Sequence, residues 1–253
     1  MGGKAVSLLT MAMNGMERLL KLDGAYNVRD IGGYRTLSGA IVQRGRLFRA
    51  DGLHQLSQRD QETILGLGVK TIVDLRFDDE TAAKKDVFAE HSEVDYHNIS
   101  LVNPATTKLS EISNLSDMYK ILLDQSNSLL IEVFRLIATV KEGLLFHCSA
   151  GKDRTGVVAA LLLDLAEVPR ETIISDYAET ETNLAPIMDE LLAHRPAEMS
   201  EAEFRLFMGS APENMEIMLD HLYSVYGGAE QYLSGNGLHA DEIDSLKHKL
   251  LKG

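Results

Sequence analysis

Residues 144–166 read LLFHCSAGKDRTGVVAALLLDLA, and this stretch decides the fold. Leu144–His147 is a short apolar run behind Gly143, the pattern of a central buried strand. Thr155–Ala166 is apolar at most positions, carries no proline and predicts a helix. Cys148 to Arg154 leave room between them for only a tight loop that feeds the helix N-terminus. Strand, tight loop and helix in that order are the unit from which α/β sheets are assembled.

The flanking sequence extends this reading. Asn27–Gly52 is rich in Gly and Arg, and Ser38-Gly39 marks the turn of a β-hairpin between Tyr34 and Val42. Ser57-x-x-Asp60 has the form of a capping box and opens a helix to about Leu67. Gly68 stops it, Val69–Leu75 predicts a buried strand, and Val94–Ile99 a weaker one. Helical patterns follow over Asp117–Leu123 and Ser128–Val140, and Pro169 fits a helix start. Beyond it the patterns are helical: Pro186–His194, Ser200–Phe207, Pro212–Tyr226 and Asp241–Leu251. The expected fold is α/β, a central mostly parallel sheet surrounded by helices, with a helical C-terminal part. No repeat or linker divides the chain, so residues 1–253 are expected to form a single domain. Within it, residues 1–24 read as a helical or frayed extension. Residues 183–212 carry Met188, Met199, Phe204, Phe207 and Met208 and are a candidate helical lid.

Composition excludes several functions. A single Cys in 253 residues rules out an internal disulfide and any multi-Cys metal site. The formal net charge of −13 argues against nucleic acid as a partner, because phosphate backbones repel a negative surface. The eight His show neither His-x-His nor HExxH spacing, so no metal and no other cofactor is expected. No apolar run approaches the ~18–20 residues of a transmembrane helix. Residues 1–15 carry one Lys and a weak apolar run with no small-x-small cleavage site, so a cytoplasmic location is expected rather than secretion. The sequence does not specify an oligomeric state.

The loop itself suggests chemistry. Backbone N–H groups in a tight turn can converge on one point and bind an anion, and the helix dipole adds positive potential there. The candidate phosphate-binding set is Ser149, Ala150, Gly151, Lys152, Asp153, Arg154 and Thr155. Arg154 can clamp two phosphate oxygens. A cysteine beside cations at a helix N-terminus favours the thiolate, the nucleophilic form. Cys148 is therefore the candidate nucleophile, poised for in-line attack on phosphorus without a metal. Two rival readings fade. A Walker A loop needs Gly where Phe146 stands, and a buried apolar role for Cys148 leaves the rest of the loop unexplained.

Cys-x5-Arg-Thr-Gly after a strand and before a helix resembles the cysteine-based protein tyrosine phosphatase superfamily. The fuller HCxAGKDRTG pattern resembles its atypical bacterial branch, related to tyrosine and dual-specificity phosphatases. Asn27-Val28-Arg29-Asp30-Ile31-Gly32-Gly33-Tyr34 is similar to that branch's N-terminal Asn-x-Arg-Asp-x-Gly-Gly box, with Val28 replacing an aromatic. Leu47–Asp51, Asp74-Leu75-Arg76 and Tyr226–Leu233 are similar to further landmarks, so the resemblance spans roughly residues 25–250. It implies a tyrosine phosphatase-like fold and metal-independent hydrolysis of phosphate monoesters through a phosphocysteine. The implied substrates are phosphotyrosine protein first, then phosphoserine/threonine protein or phosphoinositide. The alternative is a catalytically weak, phosphate-dependent binding module.

Many tyrosine phosphatases take their general acid from a Trp-Pro-Asp loop, and this chain has no Trp. The resemblance moves the acid to Asp153 inside the phosphate loop, with Asp51 and Asp78 as alternates; otherwise Asp153 only braces the loop. Lys152 reads as a rim cation for a second phosphate or as support for the thiolate. His147 is expected to orient the loop, and the Thr155 hydroxyl to stabilise the departing thiolate or to start the helix. Asn27, Arg29 and Asp30 are expected to brace the loop from the N-terminal box. Residues 27–54 hold Arg29, Arg35, Arg44, Arg46 and Arg49 against Asp30 and Asp51, a basic strip suited to a phosphate site.

Overall fold

Five strands form the sheet: β1 (Arg29–Asp30), β2 (Leu47–Ala50), β3 (Val69–Asp74), β4 (Asp95–Asn98) and β5 (Gly143–His147). Their order is β1-β2-β5-β3-β4. β2, β5, β3 and β4 run parallel, and only β1 is antiparallel to its neighbour, so the expected mostly parallel sheet is observed. The structure, a computed structural model, describes residues 17–101 and 115–251. The helices are α1 (Gln58–Gly66), α2 (Asp78–Ala83), α3 (Leu115–Gln125), α4 (Asn127–Thr139), α5 (Asp153–Leu165) and α6 (Arg170–Leu184). They continue with α7 (Met188–Ala193), α8 (Glu201–Met208), α9 (Pro212–His221), α10 (Ala229–Gly235) and α11 (Ala240–Leu251). Among the described residues no helix is long and apolar enough to cross a membrane.

β5 lies at the centre and is buried along its whole length, which is why Leu144–Phe146 is continuously apolar. Strand side chains alternate between the two faces. Leu47, Val73, Leu144 and Phe146 pack into the larger core with α3–α6 and α9–α11. Phe48, Ala50, Ile72 and Leu145 pack on the other face with Leu56, Ile64, Leu67 and Phe88. α5 is enclosed almost all round, with every residue from Arg154 to Leu163 buried, so it shows no polar stripe. Parallel strands put their loops at the carboxyl end of the sheet. The turn between β5 and α5 therefore opens at that end, where ligands of such sheets bind.

The capping box at Ser57 and Asp60 forms as expected. The hairpin at Tyr34–Val42 is present as a single Arg35–Ile41 bridge turned by Gly39 at φ +85°. The N-terminal expectation needs correction for its described part, since residues 1–16 lie outside the described residues. Residues 17–22 are not helical: Leu20 N–H donates to the Val28 carbonyl, and the Arg18 carbonyl accepts from Asp30. These backbone groups extend the sheet edge instead of closing helical turns. The helix expected over Pro212–Tyr226 changes at Leu222 into a π-helical turn that ends at Gly227, φ +88°.

Candidate active site

The peptide planes of the β5–α5 loop are fixed from behind. The Ser149 carbonyl accepts from Gly52 N–H at 3.0 Å. The Ala150 carbonyl accepts from Asn27 Nδ2 at 3.0 Å, and the Gly151 carbonyl from Arg49 Nη2 at 2.7 Å and Asn27 Nδ2 at 3.2 Å. A trans peptide points its N–H opposite to its C=O. The N–H groups of Ala150, Gly151 and Lys152 are thereby turned to the far side of the loop from these donors, an arrangement that suits an anion. Gly151 makes the turn with φ +64°, and a Cβ there would lie 2.4 Å from the Ala50 carbonyl oxygen. Only glycine fits that approach.

The donors behind the loop are themselves locked. Asn27 Oδ1 accepts from Arg29 and from Asn183. Its backbone N–H, with that of Tyr26, donates to the Asp51 carboxylate. Arg29 and Arg49 converge on Asp176, at 3.3 and 2.5 Å, joined by Arg18 at 3.2 Å and Tyr34 Oη at 3.0 Å. Asp176 is fully buried. Burial opposes its ionisation, but Arg29, Arg49 and Arg18 outweigh it and hold the carboxyl well below the usual range. Burial and the neighbouring Arg29 bring Arg49 down to about 10.

Cys148 sits at the loop's base with 2% of its surface exposed. His147, before it, is completely buried. Its Nδ1 lies 3.2 Å from the Cys148 carbonyl, and its Nε2 lies 3.1 Å from Asp86 and 3.7 Å from Asp74. Burial disfavours the charged ring, but Asp74 and Asp86 outweigh burial and raise its pKa. Arg76 Nη2 lies 2.6 Å from Asp74 and 4.0 Å from Asp86, so Arg76 supplies positive charge among these carboxylates.

At the other end of the loop Arg154 makes a two-point pair with Glu80, Nη1 to Oε2 at 2.5 Å and Nη2 to Oε1 at 2.9 Å. It also donates to the Leu75 carbonyl. Glu80 accepts from the Ser149 hydroxyl and from Phe77 N–H. Burial opposes its charge, but Arg154 and Ser149 overcome it and bring the carboxyl down to about 2. Glu80 thus ties the start of the loop to its arginine and sets the guanidinium plane.

A family model described as the tyrosine phosphatase family matches residues 20–252. The chain belongs to that family. The tyrosine-protein phosphatase of Nostoc commune is 36% identical over 220 residues, 80% of this chain and 73% of its own. The triple specificity protein phosphatase PtpB of Mycobacterium tuberculosis is 24% identical over 276 residues, 91% of this chain and 98% of its own. Among solved structures, TpbA of P. aeruginosa aligns over 66% of this chain and 89% of its own, at 15% identity and a TM-score of 0.37. The protein is a phosphatase enzyme.

Not every expected residue of this phosphatase meets the loop. Cys148–Thr155, His147, Asn27 and Arg29 come together. Asp30 does not: its carboxylate accepts from Gly32 and Gly45 N–H and braces the turn before β2. The basic strip splits as well. Arg29 and Arg49 lie under the loop, whereas Arg35 bonds its own hairpin at Gly39, and Arg46 reaches the Lys141 carbonyl at the opposite end of the sheet. Lys152 also differs from the rim cation expected. It is fully buried, and its ammonium donates to the Phe207 and Gly209 carbonyls at the end of α8. Those carbonyls lack helical partners and attract the cation. Asp51 is engaged beneath the loop by Tyr26 and Asn27, and burial raises its pKa. The Thr155 hydroxyl is buried and has no hydrogen-bond partner among the described residues.

Residues 183–212 leave α6, turn through α7 and α8, and pack on the loop. Leu184, Leu192, Phe204 and Met208 form a separate apolar cluster, and Tyr26, Ala150, Ile187, Met188 and Phe207 lie against it. Three residues that position the site were missed by sequence reasoning. Asp176 had a signal: Ile173, Tyr177, Thr180 and Leu184 share its helix face, so a carboxylate there had to be buried. Glu80 had only its place three residues after Phe77, a helix-capping spacing. Tyr119 had none beyond its place on an apolar helix face.

Proposed function

We propose that this phosphatase hydrolyses phosphotyrosine protein through a phosphocysteine. The observation that carries this reading is the loop whose carbonyls are tied back to Asn27, Arg49 and Gly52 around Cys148. The N–H groups and Arg154 bind the phosphoryl oxygens and stabilise the charge that develops there. The Cys148 thiolate attacks phosphorus in line as the P–O bond to the leaving group breaks. Asp153, in the first turn of α5 with its side chain 20% exposed, gives a proton to the leaving oxygen. Its carboxylate then takes a proton from the water that attacks phosphorus and releases the thiolate. Tyr26, Ile187, Met188 and Phe207, which pack with Ala150 against the same apolar cluster, offer apolar surface suited to an aryl ring. The buried Lys152 lends no support to a rim cation for a second phosphate, so phosphotyrosine protein is the leading substrate and phosphoserine/threonine protein or phosphoinositide the further ones.

Asp153→Asn tests the acid. A poor leaving group such as a phosphoserine peptide is expected to lose about 10²–10⁴-fold in kcat, and an activated aryl phosphate less than tenfold. Equal losses on both would reduce Asp153 to a brace.

The segment 183–212 is proposed as a lid, held down by the Lys152 bonds to the Phe207 and Gly209 carbonyls. Limited proteolysis checks this: an oxyanion phosphate analogue is expected to slow cleavage within the segment, and an unchanged pattern counts against it.

A further inference from the structure

Asp153 Oδ1 accepts a hydrogen bond from Tyr119 Oη at 2.7 Å. Tyr119 Oη lies 2.7 Å from Tyr177 Oη, a pair in which either oxygen could donate. Counting protons fixes the direction. Each phenol has one proton. Tyr119 gives its proton to the carboxylate, so the Tyr177 proton goes to Tyr119. The Tyr177 oxygen is then left to accept. The chain therefore runs one way, from Tyr177 on α6 through Tyr119 on α3 to the first turn of α5.

Both rings are buried, at 0% and 1% exposure, and they meet edge to face with centroids 5.9 Å apart. Burial, then the Asp153 charge, holds the Tyr119 phenol well above its ordinary pKa. Tyr119 is accordingly a permanent donor at any working pH. The other charged groups facing Asp153 are Lys152, whose Nζ lies 3.6 Å from the same Oδ1, and Arg154 in the same turn. Among the described residues no protein partner reaches Oδ2.

We propose that Tyr119 is a positioning residue that assigns the two oxygens of Asp153, keeping Oδ1 a permanent acceptor and leaving Oδ2 to carry the proton that is transferred. This rests on the reading of Asp153 as the general acid. Protonated Asp153 loses the Oδ2 proton to the leaving oxygen as the S–P bond forms and the P–O bond breaks. The resulting carboxylate keeps its Oδ1 bond from Tyr119, and Oδ2 recovers a proton from the attacking water in the second step. The tyrosine chain need not reverse in either direction, so no buried hydroxyl reorganises during turnover. Without the Tyr119 hydroxyl, either oxygen could hold the proton, and the acid would be misdirected for part of the time.

The test is Tyr119→Phe, which keeps the ring and removes the donor. With a phosphoserine peptide, kcat is expected to fall about tenfold, the scale of a hydrogen bond to a charged group. With p-nitrophenyl phosphate, whose leaving group needs little protonation, kcat is expected to stay within about twofold, and KM for both to hold. In an Asp153→Asn background the Tyr119→Phe change should add nothing. Tyr177→Phe, which only removes the donor to Tyr119, should shift the same substrate ratio in the same direction by less, and serves if Tyr119→Phe does not fold. Equal losses on both substrates, or no loss on either, overturn the proposal. If Asp153→Asn is leaving-group selective and Tyr119→Phe is not, only the Tyr119 role falls. If Asp153→Asn itself loses equally on both, the acid assignment falls and the Tyr119 role with it.

Discussion

Cys148→Ser is expected to lower phosphate release by about 10⁴-fold or more while the protein still binds inorganic phosphate. The change removes one atom's chemistry and little else. The side chain is buried, so serine fits the same space. The loop carbonyls stay tied to Asn27, Arg49 and Gly52, and Arg154 stays paired with Glu80. Binding depends on that frame, and turnover depends on sulfur, because a serine hydroxyl lacks both the acidity and the nucleophilicity of the thiol. His147 has no means of activating an alcohol, since its Nε2 faces Asp74 and Asp86. Phosphate-release assays with isothermal titration of inorganic phosphate separate the two effects. Equal turnover in the variant and the parent protein would contradict the nucleophile.

The second large effect is on stability. Asp176→Asn should cost about 3–5 kcal/mol, because it leaves Arg29 and Arg49 buried without their counter-charge. That is a large part of the ~5–15 kcal/mol that holds a typical domain folded. The phosphate loop should suffer first, since Arg49 also holds the Gly151 carbonyl and Arg29 holds Asn27. The pH dependence has a definite sign. Asp176 is depressed in the folded state, so its stabilisation is complete above the unfolded value of about 4 and is lost as pH falls further. Urea titrations at neutral and acidic pH check both statements. The parent should lose stability below about pH 4, and the variant should be weak already at neutral pH and lose less on acidification. A variant as stable as the parent at pH 7 would show that the arginines do not need Asp176.

The centre of the fold was legible because its physics is local. Leu144–Phe146 is continuously apolar because both faces of β5 are covered, and Thr155–Ala166 is apolar at most positions because α5 is enclosed. The Ser57 capping box was legible for the same reason, since its two bonds join residues three apart. β2 escaped because Arg49 interrupts its four-residue apolar run, and the charge looked like surface. Its burial is explained by Asp176 and the Gly151 carbonyl, which lie 127 and 102 positions away and are joined to it by the fold.

The candidate site divides in the same way. Cys148, Asp153 and Arg154 stand in one motif and could be named from it. Glu80, which holds Arg154, Tyr119, which holds Asp153, and Asp176, which holds Arg29 and Arg49 beneath the loop, come from three separate helices, and no spacing in the sequence connects them to the motif. Lys152 shows the converse limit. Its place beside Asp153 suggested a rim cation, but the open end of α8 offers carbonyls that hold it more firmly than solvent.

The central claim, a covalent phosphocysteine, is tested most directly by acid-quenching the enzyme during turnover of an aryl phosphate and mapping the modified peptide by mass spectrometry. The expected result is one phosphoryl group on the peptide containing Cys148, accumulating further in Asp153→Asn if its carboxylate assists the attacking water, and missing from Cys148→Ser. Undiminished turnover with no phosphorylated Cys148 at any quench time would contradict the account.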